Sequence, residues 1–481
     1  MTSTMKLCSL ALLLAAGLAS CATAQDERGA GQTAARRNVI LFLGDGMGVS
    51  TVTAARIFAG QQKGQTGEEY SLSFEHFPDL ALIKTYNTDA QVPDSAGTMS
   101  AIMTGHKTRM GHISVAASVD HDDCVAALQA PLPTLLEMAA DQGFATGVIS
   151  TARLTHATPA ATYAHVPDRD WENDAEVPED ARKAGCQDIA AQFVGFSHGK
   201  GIEVALAGGR QNFLPASAND PEYPQVKGLR ADGRNLIEEW QAAHPGGSYV
   251  WNEKAFSALS PQAAGPVLGL FEPSHMQFEA DRAGDAAGEP SLAEMTAFAI
   301  RKLQGNPKGF FLMVEAGRID HAHHDANARR ALVDTVALSD AVQAAVKLVD
   351  PADTLIVVTA DHDHTLTING YPRRGNPILG KVVGPDGQLA TDSQGHPYTT
   401  LSYANGPGYQ QPLPDLTDVD TEALDYRQIG ALPMDYETHN GADVAAFATG
   451  AGAERVHGVM EQNLLFDVMR NSLLSGSGPT H

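Results

Sequence analysis

The chain has 481 residues, of which 43% are hydrophobic and 19% are charged. This composition is typical of a globular protein with a large core and excludes a disordered or membrane-spanning chain. The formal net charge of −24 argues against a nucleic-acid partner, because phosphate backbones attract surfaces rich in Lys and Arg. The same charge repels anionic substrates unless bound cations reverse the field locally.

Residues 1–24 have the pattern of an export signal. The apolar run Leu10–Leu18 is too short to span a bilayer. Two processing sites are compatible with the residues after this run. Residues 18–21 resemble a bacterial lipobox that would leave a lipid on Cys21, and residues 22–24 fit a signal-peptidase site before Gln25. We favour the lipobox and expect an exported protein, either free in the periplasm or held at the outer membrane or cell surface through this lipid.

Apolar segments and helical patterns alternate along the rest of the chain. Residues 25–37 are polar and are expected to form a tether. Strands are predicted at Asn38–Leu43, Thr146–Ser150, Ile202–Leu206, Phe310–Val314 and Thr354–Thr359, and helices at Leu132–Gln142, Leu292–Leu303 and Ala328–Leu348. This alternation predicts an α/β fold with a large, mostly parallel central sheet flanked by helices.

Residues 370–435 interrupt this alternation. They are rich in Gly, Pro, Asp and Thr and predict an inserted crown subdomain. The catalytic domain would then comprise residues 38–369 and 436–470. Residues 471–481 are expected to form a flexible C-terminal tail.

The cysteines fit an exported protein. Cys8 and Cys21 belong to the N-terminal segment, which leaves Cys124 and Cys186 as the only pair in the body. In an oxidising compartment this pair is expected to form a disulfide. The alternative is two free, buried thiols.

Carboxylates and imidazoles follow three of the predicted strands. The first strand leads to Asp45, the strand at 310–314 leads to Glu315 and residues 320–324, and the strand at 354–359 leads to residues 361–364. Ligands bind beyond the carboxyl ends of parallel strands, and this mixture of side chains suits zinc. Asp320 could share a helix face with either His323 or His324. Each segment alone also fits a turn or an exposed helix start, but the three together favour a metal site.

Ser95 is the candidate nucleophile. It precedes a helix-compatible run to Met103, with Asp94 near the cap. Exposed amides at a helix N-terminus favour a phosphoryl oxygen. A serine hydroxyl needs activation, which a metal ion can supply. In isolation, the segment is more typical of an ordinary capped helix than of a nucleophile site.

Six segments, in order, resemble the alkaline phosphatase family. They are residues 44–48 (GDGMG), 93–98 (PDSAGT), 150–159 (STARLTHATP), 317–324 (GRIDHAHH), 359–364 (TADHDH) and 437–439 (ETH). The resemblance covers residues 38–465 and is closer to the animal branch than to the enterobacterial one. It implies a phosphatase that converts phosphate monoesters to alcohol and inorganic phosphate through a phosphoserine at Ser95.

The resemblance also implies specific ligands. Two zinc ions and one magnesium ion would be bound, the first zinc by Asp320, His324 and His439, the second by Asp45, Ser95, Asp361 and His362, and the magnesium by Asp45, Thr158 and Glu315. Arg169, held by Asp94, would bind the phosphate. His156 and His321 would lie near it, where the enterobacterial enzyme has Asp and Lys. These two differences leave the third metal and the pH optimum open.

Three further features are implied by the animal-type pattern. Glu222, Phe271, Glu272 and Glu289 align with a calcium site, although an insertion near Asp285 weakens the last match and an acidic surface patch is the alternative. Cys124 and Cys186 fall where animal-type enzymes have a disulfide. A homodimer is expected, with the crown and the segment near Tyr371 at its interface.

Other activities are compatible with parts of the pattern. A phosphodiesterase of the same superfamily is the alternative enzyme. A sulfatase is disfavoured because residues 94–98 lack the C/S-x-P-x-R context that generates formylglycine. A non-catalytic lipoprotein that binds metal or phosphate is a second class. Because Ser95, Arg169 and every expected zinc ligand are present, the sequence favours a phosphatase acting on small phosphomonoesters.

Overall fold

The computed structural model describes residues 37–474. The predicted signal, the candidate lipidation site Cys21 and nearly all of the tether lie outside the described residues. Within residues 37–474, no helix combines the length and the apolar character needed to cross a membrane.

A ten-stranded sheet forms the centre of the described chain. In spatial order its strands are Gly458–Glu461 (β15), Asp79–Lys84 (β2), Val444–Gly450 (β14), Thr354–Ala360 (β8), Arg37–Gly44 (β1), Gly309–Ala316 (β7), Ala145–Arg153 (β3), Val204–Gly208 (β4), Val267–Leu270 (β6) and Ser248–Val250 (β5). β14 runs antiparallel to both of its neighbours, and the other pairings are parallel. The predicted mostly parallel sheet is therefore confirmed.

Two small sheets lie beyond the main one. Leu366–Ile368 (β10) pairs antiparallel with Leu401–Gly406 (β11), which pairs parallel with Gly430–Pro433 (β12). Asp363–His364 (β9) pairs with His439–Asn440 (β13). The three-stranded sheet begins a few residues before the predicted crown, and isolated bridges and loops occupy much of residues 370–435.

Helices cover both faces of the main sheet. They are Val49–Gln62 (α1), Ser95–Thr104 (α2), Cys124–Gln129 (α3), Leu135–Asp141 (α4), Ala157–Ala160 (α5), Glu179–Ala184 (α6), Ile189–Val194 (α7), Leu236–Ala243 (α8), Glu253–Ser257 (α9), Leu292–Leu303 (α10), Arg318–His324 (α11), Ala328–Leu348 (α12) and Leu464–Leu474 (α13), with 3-10 turns at Ser73–His76, Arg210–Phe213, Arg282–Gly284 and Ala453–Arg455. Because both faces are covered, β7 and β8 are buried along their whole length, which explains their uninterrupted apolar sequences.

Helix ends depend on local capping chemistry. α10 and α12 have the predicted bounds. α4 is shorter than predicted because Thr134 caps it: the Thr134 hydroxyl accepts a hydrogen bond from the Glu137 amide at 3.1 Å, and the Glu137 carboxylate accepts one from the Thr134 amide at 2.8 Å. α13 extends to Leu474, four residues into the segment predicted as the tail, and the rest of that segment lies outside the described residues.

Cys124 and Cys186 form the expected disulfide, with their Cα atoms 6.0 Å apart. The two bridged cysteines are 62 positions apart in the sequence, so the bridge closes a long loop. That loop carries His156, Thr158 and Arg169, three residues predicted to lie at the metal and phosphate site.

Replacing both bridged cysteines with alanine is expected to lower the free energy of unfolding by about 4 kcal/mol, because the unfolded chain regains the entropy of an open loop of this length. Denaturant unfolding of the oxidised protein and the double variant measures the difference. Reductant should destabilise the wild type and leave the double variant unchanged. Equal stability of the two oxidised proteins would contradict this expectation.

Candidate metal and phosphate site

Three adjacent parallel strands place the candidate ligands at one edge of the sheet. Gly44 at the end of β1 pairs with Ala316 of β7 on one side and Ala360 of β8 on the other. The chain therefore leaves these three strands at the same edge of the sheet. This places Asp45, the start of α11 and Asp361 next to one another. β13 adds His439 by pairing it with His364. The structure thus brings together the carboxylates and imidazoles that the sequence placed at this edge.

Asp320, His324 and His439 converge on one point. The Nε2 atoms of the two histidines lie 3.3 Å apart, and each lies 3.3 Å from a carboxylate oxygen of Asp320. Tetrahedral coordination at about 2.0–2.1 Å places neighbouring ligand atoms at about this separation. His323, the alternative partner, instead contacts the hydroxyls of Thr51 at 3.0 Å and Tyr403 at 2.7 Å.

Hydrogen bonding fixes which nitrogen of each histidine is free. His324 Nδ1 donates to the Glu437 carbonyl at 2.5 Å, and His439 Nδ1 donates to the Pro93 carbonyl at 2.8 Å. Each Nε2 therefore presents a lone pair in the neutral ring. Two lone pairs facing each other beside a carboxylate repel, and a cation between them removes the repulsion.

A second cluster surrounds the Ser95 hydroxyl. Its Oγ lies 3.2 Å from His362 Nε2 and 3.4 Å from Asp45 Oδ1. His362 Nε2 also lies 3.3 Å from Asp361 Oδ2 and 3.5 Å from Asp45 Oδ1. All four residues are buried. These separations resemble those of the first cluster and suit a second metal ion.

A third cluster contains Asp45, Thr158 and Glu315. Asp45 Oδ2, Thr158 Oγ1 and Glu315 Oε1 are all buried without a hydrogen-bond partner. The other oxygen of Glu315 accepts a short hydrogen bond from Ser150. Buried oxygens without partners are costly, and three hard oxygen ligands fit magnesium.

Three of the carboxylates, those of Asp45, Glu315 and Asp361, resist ionisation. Burial, together with the charges of Asp361, Asp320 and Glu315, raises the pKa of Asp45 well above its usual range. Burial is also the main reason that the pKa of Glu315 rises to about 7 and that of Asp361 rises. In a chain with a net charge of −24, only cations can make this edge attractive to an anionic phosphate.

Arg169 supplies one cation from the protein itself. Its Nη1 donates to Asp94 Oδ2 at 3.0 Å, and its Nη2 lies 3.3 Å from His156 Nε2. Asp94 also caps α2 by accepting a hydrogen bond from the Gly97 amide at 3.1 Å, so it orients both Arg169 and the helix that begins at Ser95. Burial opposes ionisation of Asp94, but the Arg169 guanidinium and the backbone amides of Gly97 and Gly111 hold its pKa below the usual value.

Two supporting residues were not assigned a role from the sequence. His364 Nε2 lies 2.6 Å from Asp320 Oδ1, and its Nδ1 makes a short contact with the Glu437 carboxylate. Glu437 also accepts a hydrogen bond from the Thr365 amide at 2.7 Å. Both residues lie inside the six segments that resemble the alkaline phosphatase family. That position was the sequence signal that could have assigned them to the site. Their pairing across the fold orients Asp320 and hence the first cluster.

The predicted calcium residues form a separate acidic cluster. Tyr223 Oη lies 3.4 Å from Glu272 and 3.5 Å from Asp285, and Glu289 accepts a hydrogen bond from the Gln277 amide at 2.9 Å. Buried oxygens of Asp285 and Glu289 lack partners. Mainly because of burial, the pKa of Glu222 rises to about 7 and that of Glu289 to about 9. Asp285 had not been assigned to this site, and the ring of Phe271 is buried.

Comparison with known proteins decides the family. The family model described as alkaline phosphatase matches residues 36–474. The chain belongs to the alkaline phosphatase family. The tissue-nonspecific alkaline phosphatase of Gallus gallus is 46% identical over 454 residues, which cover 92% of this chain and 86% of that protein. This chain is therefore a phosphatase, and its metal-ligand clusters fit a metal-dependent family.

Solved structures of alkaline phosphatases share this fold. The enzyme of Thermus thermophilus superposes with a TM-score of 0.65 at 25% identity, covering 91% of each chain. The enzyme of the Antarctic bacterium TAB5 superposes with a TM-score of 0.61 at 21% identity, covering 91% of this chain and 99% of that one. A variant of the TAB5 enzyme is described with Mg bound in the M3 site.

Proposed function

We propose that this alkaline phosphatase family member hydrolyses phosphate monoesters through a phosphoserine intermediate on Ser95, using two zinc ions and one magnesium ion. The observation that carries the proposal is the position of the Ser95 hydroxyl, which is buried 3.2 Å from His362 and 3.4 Å from Asp45. A serine at the first position of an ordinary helix does not require such neighbours. The adjacent Arg169 and the N-terminus of α2, which begins at Ser95, complete a phosphate pocket.

The donor sets support the metal assignment. Asp320, His324 and His439 would hold the first zinc, and Asp45, Ser95, Asp361 and His362 the second. Asp45, Thr158 and Glu315 would hold magnesium through the oxygens that otherwise lack partners. Such ions lower the pKa of bound hydroxyl groups and water and stabilise the charge on both sides of an in-line displacement.

The chain's own residues then divide the reaction into two halves. Ser95 Oγ forms a bond to phosphorus while the ester oxygen leaves with the alcohol. Water next attacks the phosphoserine, which releases inorganic phosphate and restores Ser95. Arg169 binds two equatorial oxygens with its planar guanidinium throughout, and Asp94 holds it in place. Because Arg169 needs two unesterified oxygens, monoesters should react faster than diesters.

The direct test is hydrolysis of p-nitrophenyl phosphate and bis(p-nitrophenyl) phosphate at alkaline pH by the purified protein loaded with zinc and magnesium. We expect the monoester to be the preferred substrate by a large factor. Preference for the diester would overturn the proposal in favour of a phosphodiesterase. Binding of phosphate without turnover of either ester would indicate a non-catalytic protein.

We also propose that Glu222, Glu272 and Glu289, with the backbone of Phe271, bind calcium, and that Asp285 joins them. The support is the buried oxygens of Asp285 and Glu289, which lack partners, and the mutual repulsion of the carboxylates. Hard oxygen ligands of this kind prefer calcium or magnesium to zinc.

Calcium is expected to raise the melting temperature of the zinc- and magnesium-loaded protein, with a larger effect at pH 9 than at pH 6. The reason is that calcium must displace the protons held by Glu222 and Glu289, whose pKa values are about 7 and 9. Differential scanning fluorimetry measures this shift. Glu289→Gln should abolish most of it, and an equal shift in that variant would argue for binding elsewhere.

Two properties of the whole protein extend this proposal. Export with a lipid on Cys21 is testable by mass spectrometry of the mature N-terminus, with Cys21→Ser as the control. A homodimer is supported by exposed apolar side chains in the predicted crown, among them Tyr371 at 89% and Leu432 at 62% exposure. Light scattering of the wild type and of Tyr371→Asp tests the dimer.

A further inference from the structure

His275 lies in the loop after β6 and has no role in the proposed reaction. Its ring packs against the ring of His321, with centroids 4.0 Å apart and planes inclined by 53°. His156 completes the group, with its centroid 5.3 Å from that of His275 and 5.4 Å from that of His321. His275 is therefore in direct contact with one of the two histidines assigned to the phosphate pocket and close to the other.

His321 is held from two sides. On one side the Arg318 guanidinium donates to His321 Nδ1 at 3.1 Å and stacks 3.7 Å from the centre of the Phe278 ring. On the other side, the ring of His275 packs against the ring of His321. Because Nδ1 accepts from Arg318, the proton of the neutral His321 ring is on Nε2, which makes that atom a hydrogen-bond donor. A donor of this kind suits a phosphate oxygen.

Arg153 anchors His275 in turn. The Arg153 backbone amide donates to His275 Nδ1 at 3.3 Å, and its guanidinium makes a short contact with His275 Nε2. A neutral imidazole accepts at only one nitrogen, so one of these two contacts is a hydrogen bond to Arg153. Burial and the Arg153 charge hold the pKa of His275 well below its usual value, which keeps the ring neutral. Arg153 is itself fixed by Glu172, whose carboxylate accepts from Arg153 Nε at 2.8 Å and from Asn212 at 3.0 Å.

We infer that His275 is a positioning residue, which holds His321 against Arg318 by ring packing so that His321 Nε2 points to a non-bridging oxygen of the phosphate. The inference rests on the proposed role of His321 in the phosphate pocket. Removing the His275 ring opens space beside His321 and lets it adopt other rotamers. The phosphate then binds to a less ordered partner.

The test uses holoenzyme loaded with zinc and magnesium and measures the dissociation constant of inorganic phosphate by titration calorimetry, with the KM and kcat for p-nitrophenyl phosphate alongside. His275→Asn keeps an acceptor for the Arg153 amide but lacks the ring, and we expect it to weaken phosphate binding about 5- to 10-fold. His275→Phe keeps the ring packing and should stay within about twofold of wild type. Melting temperature and metal content verify folding of each variant.

A double variant tests whether His275 affects phosphate binding through His321. His321→Ala should weaken phosphate binding by itself, and adding His275→Asn to it should cause no further loss if His275 acts through His321. The inference is overturned if the two effects multiply, or if folded His275→Asn binds phosphate as wild type does. If His321→Ala binds phosphate normally, the proposed contact of His321 with phosphate fails, and the inference fails with it. If the wild-type holoenzyme did not hydrolyse the monoester at all, the proposed function would instead be refuted.

Discussion

Replacing Ser95 with alanine is expected to lower kcat for p-nitrophenyl phosphate by at least about 10³-fold. The hydroxyl is the only proposed acceptor of the phosphoryl group, and the variant must rely on direct attack by water. Phosphate binding should persist, because Arg169 and Asp94 remain in contact at 3.0 Å. Initial rates and phosphate titration measure the two effects separately.

Ser100→Ala is the matched control for this variant. Ser100 lies on the same helix but its Oγ donates to the His112 carbonyl at 3.0 Å and accepts from the Ser114 amide at 2.8 Å. Its loss should reduce stability while activity per folded molecule is retained. Mass spectrometry of acid-quenched wild type should find one phosphoryl group on Ser95. Substantial turnover by Ser95→Ala would refute the phosphoserine mechanism.

Removing the divalent metals is expected to abolish hydrolysis and to make stability depend strongly on pH. Chelation leaves Asp45, Glu315 and Asp361 buried together, and reloading with zinc and magnesium should restore activity. Folded Glu315 keeps its proton up to a pKa of about 7, whereas the unfolded chain releases it near 4.5. The contribution of Glu315 to the free energy of unfolding of the metal-free protein should therefore fall as pH rises through this window.

The size of this effect is about 3 kcal/mol from Glu315 alone, and the raised pKa values of Asp45 and Asp361 act in the same direction. Denaturant unfolding at pH 5 and pH 8, with and without chelator, measures it. The Glu315 contribution to this pH dependence should be smaller in the metallated protein, because cation-bound carboxylates are already ionised in the folded state. Glu315→Gln should reduce the slope in the chelated protein. Equal slopes for the chelated wild type and chelated Glu315→Gln would contradict the proposed cluster.

The sequence predicted the parts of the fold that local patterns determine. Continuous apolar runs identified β1, β7 and β8 because these strands are buried on both faces. The residues just after these strands could be assigned to one edge because parallel strands end together. Helical periodicity gave the bounds of α12, since its N-terminus is capped by Asn327 and its buried positions recur with the helical repeat.

Contacts between distant segments could not be predicted in this way. The contact between His364 and Glu437 joins residues 73 positions apart, and no local pattern records it. The position of His275 against His321 depends on how the loop after β6 packs on α11. Asp285 was obscured by an insertion, and only the fold shows that it faces Glu222 and Glu272. The alternative between His323 and His324 was likewise settled by which ring turned toward Asp320.

The pairing of β9 with β13 has a consequence for the timing of biosynthesis. His439 lies 115 residues after His324, yet both imidazoles belong to the same cluster, and the strand that places His439 pairs with residues 363–364. A growing chain lacks this cluster until the segment carrying His439 has left the ribosome and docked. Under the proposed mechanism, hydrolysis therefore has to wait until the C-terminal part of the chain has folded back onto β9.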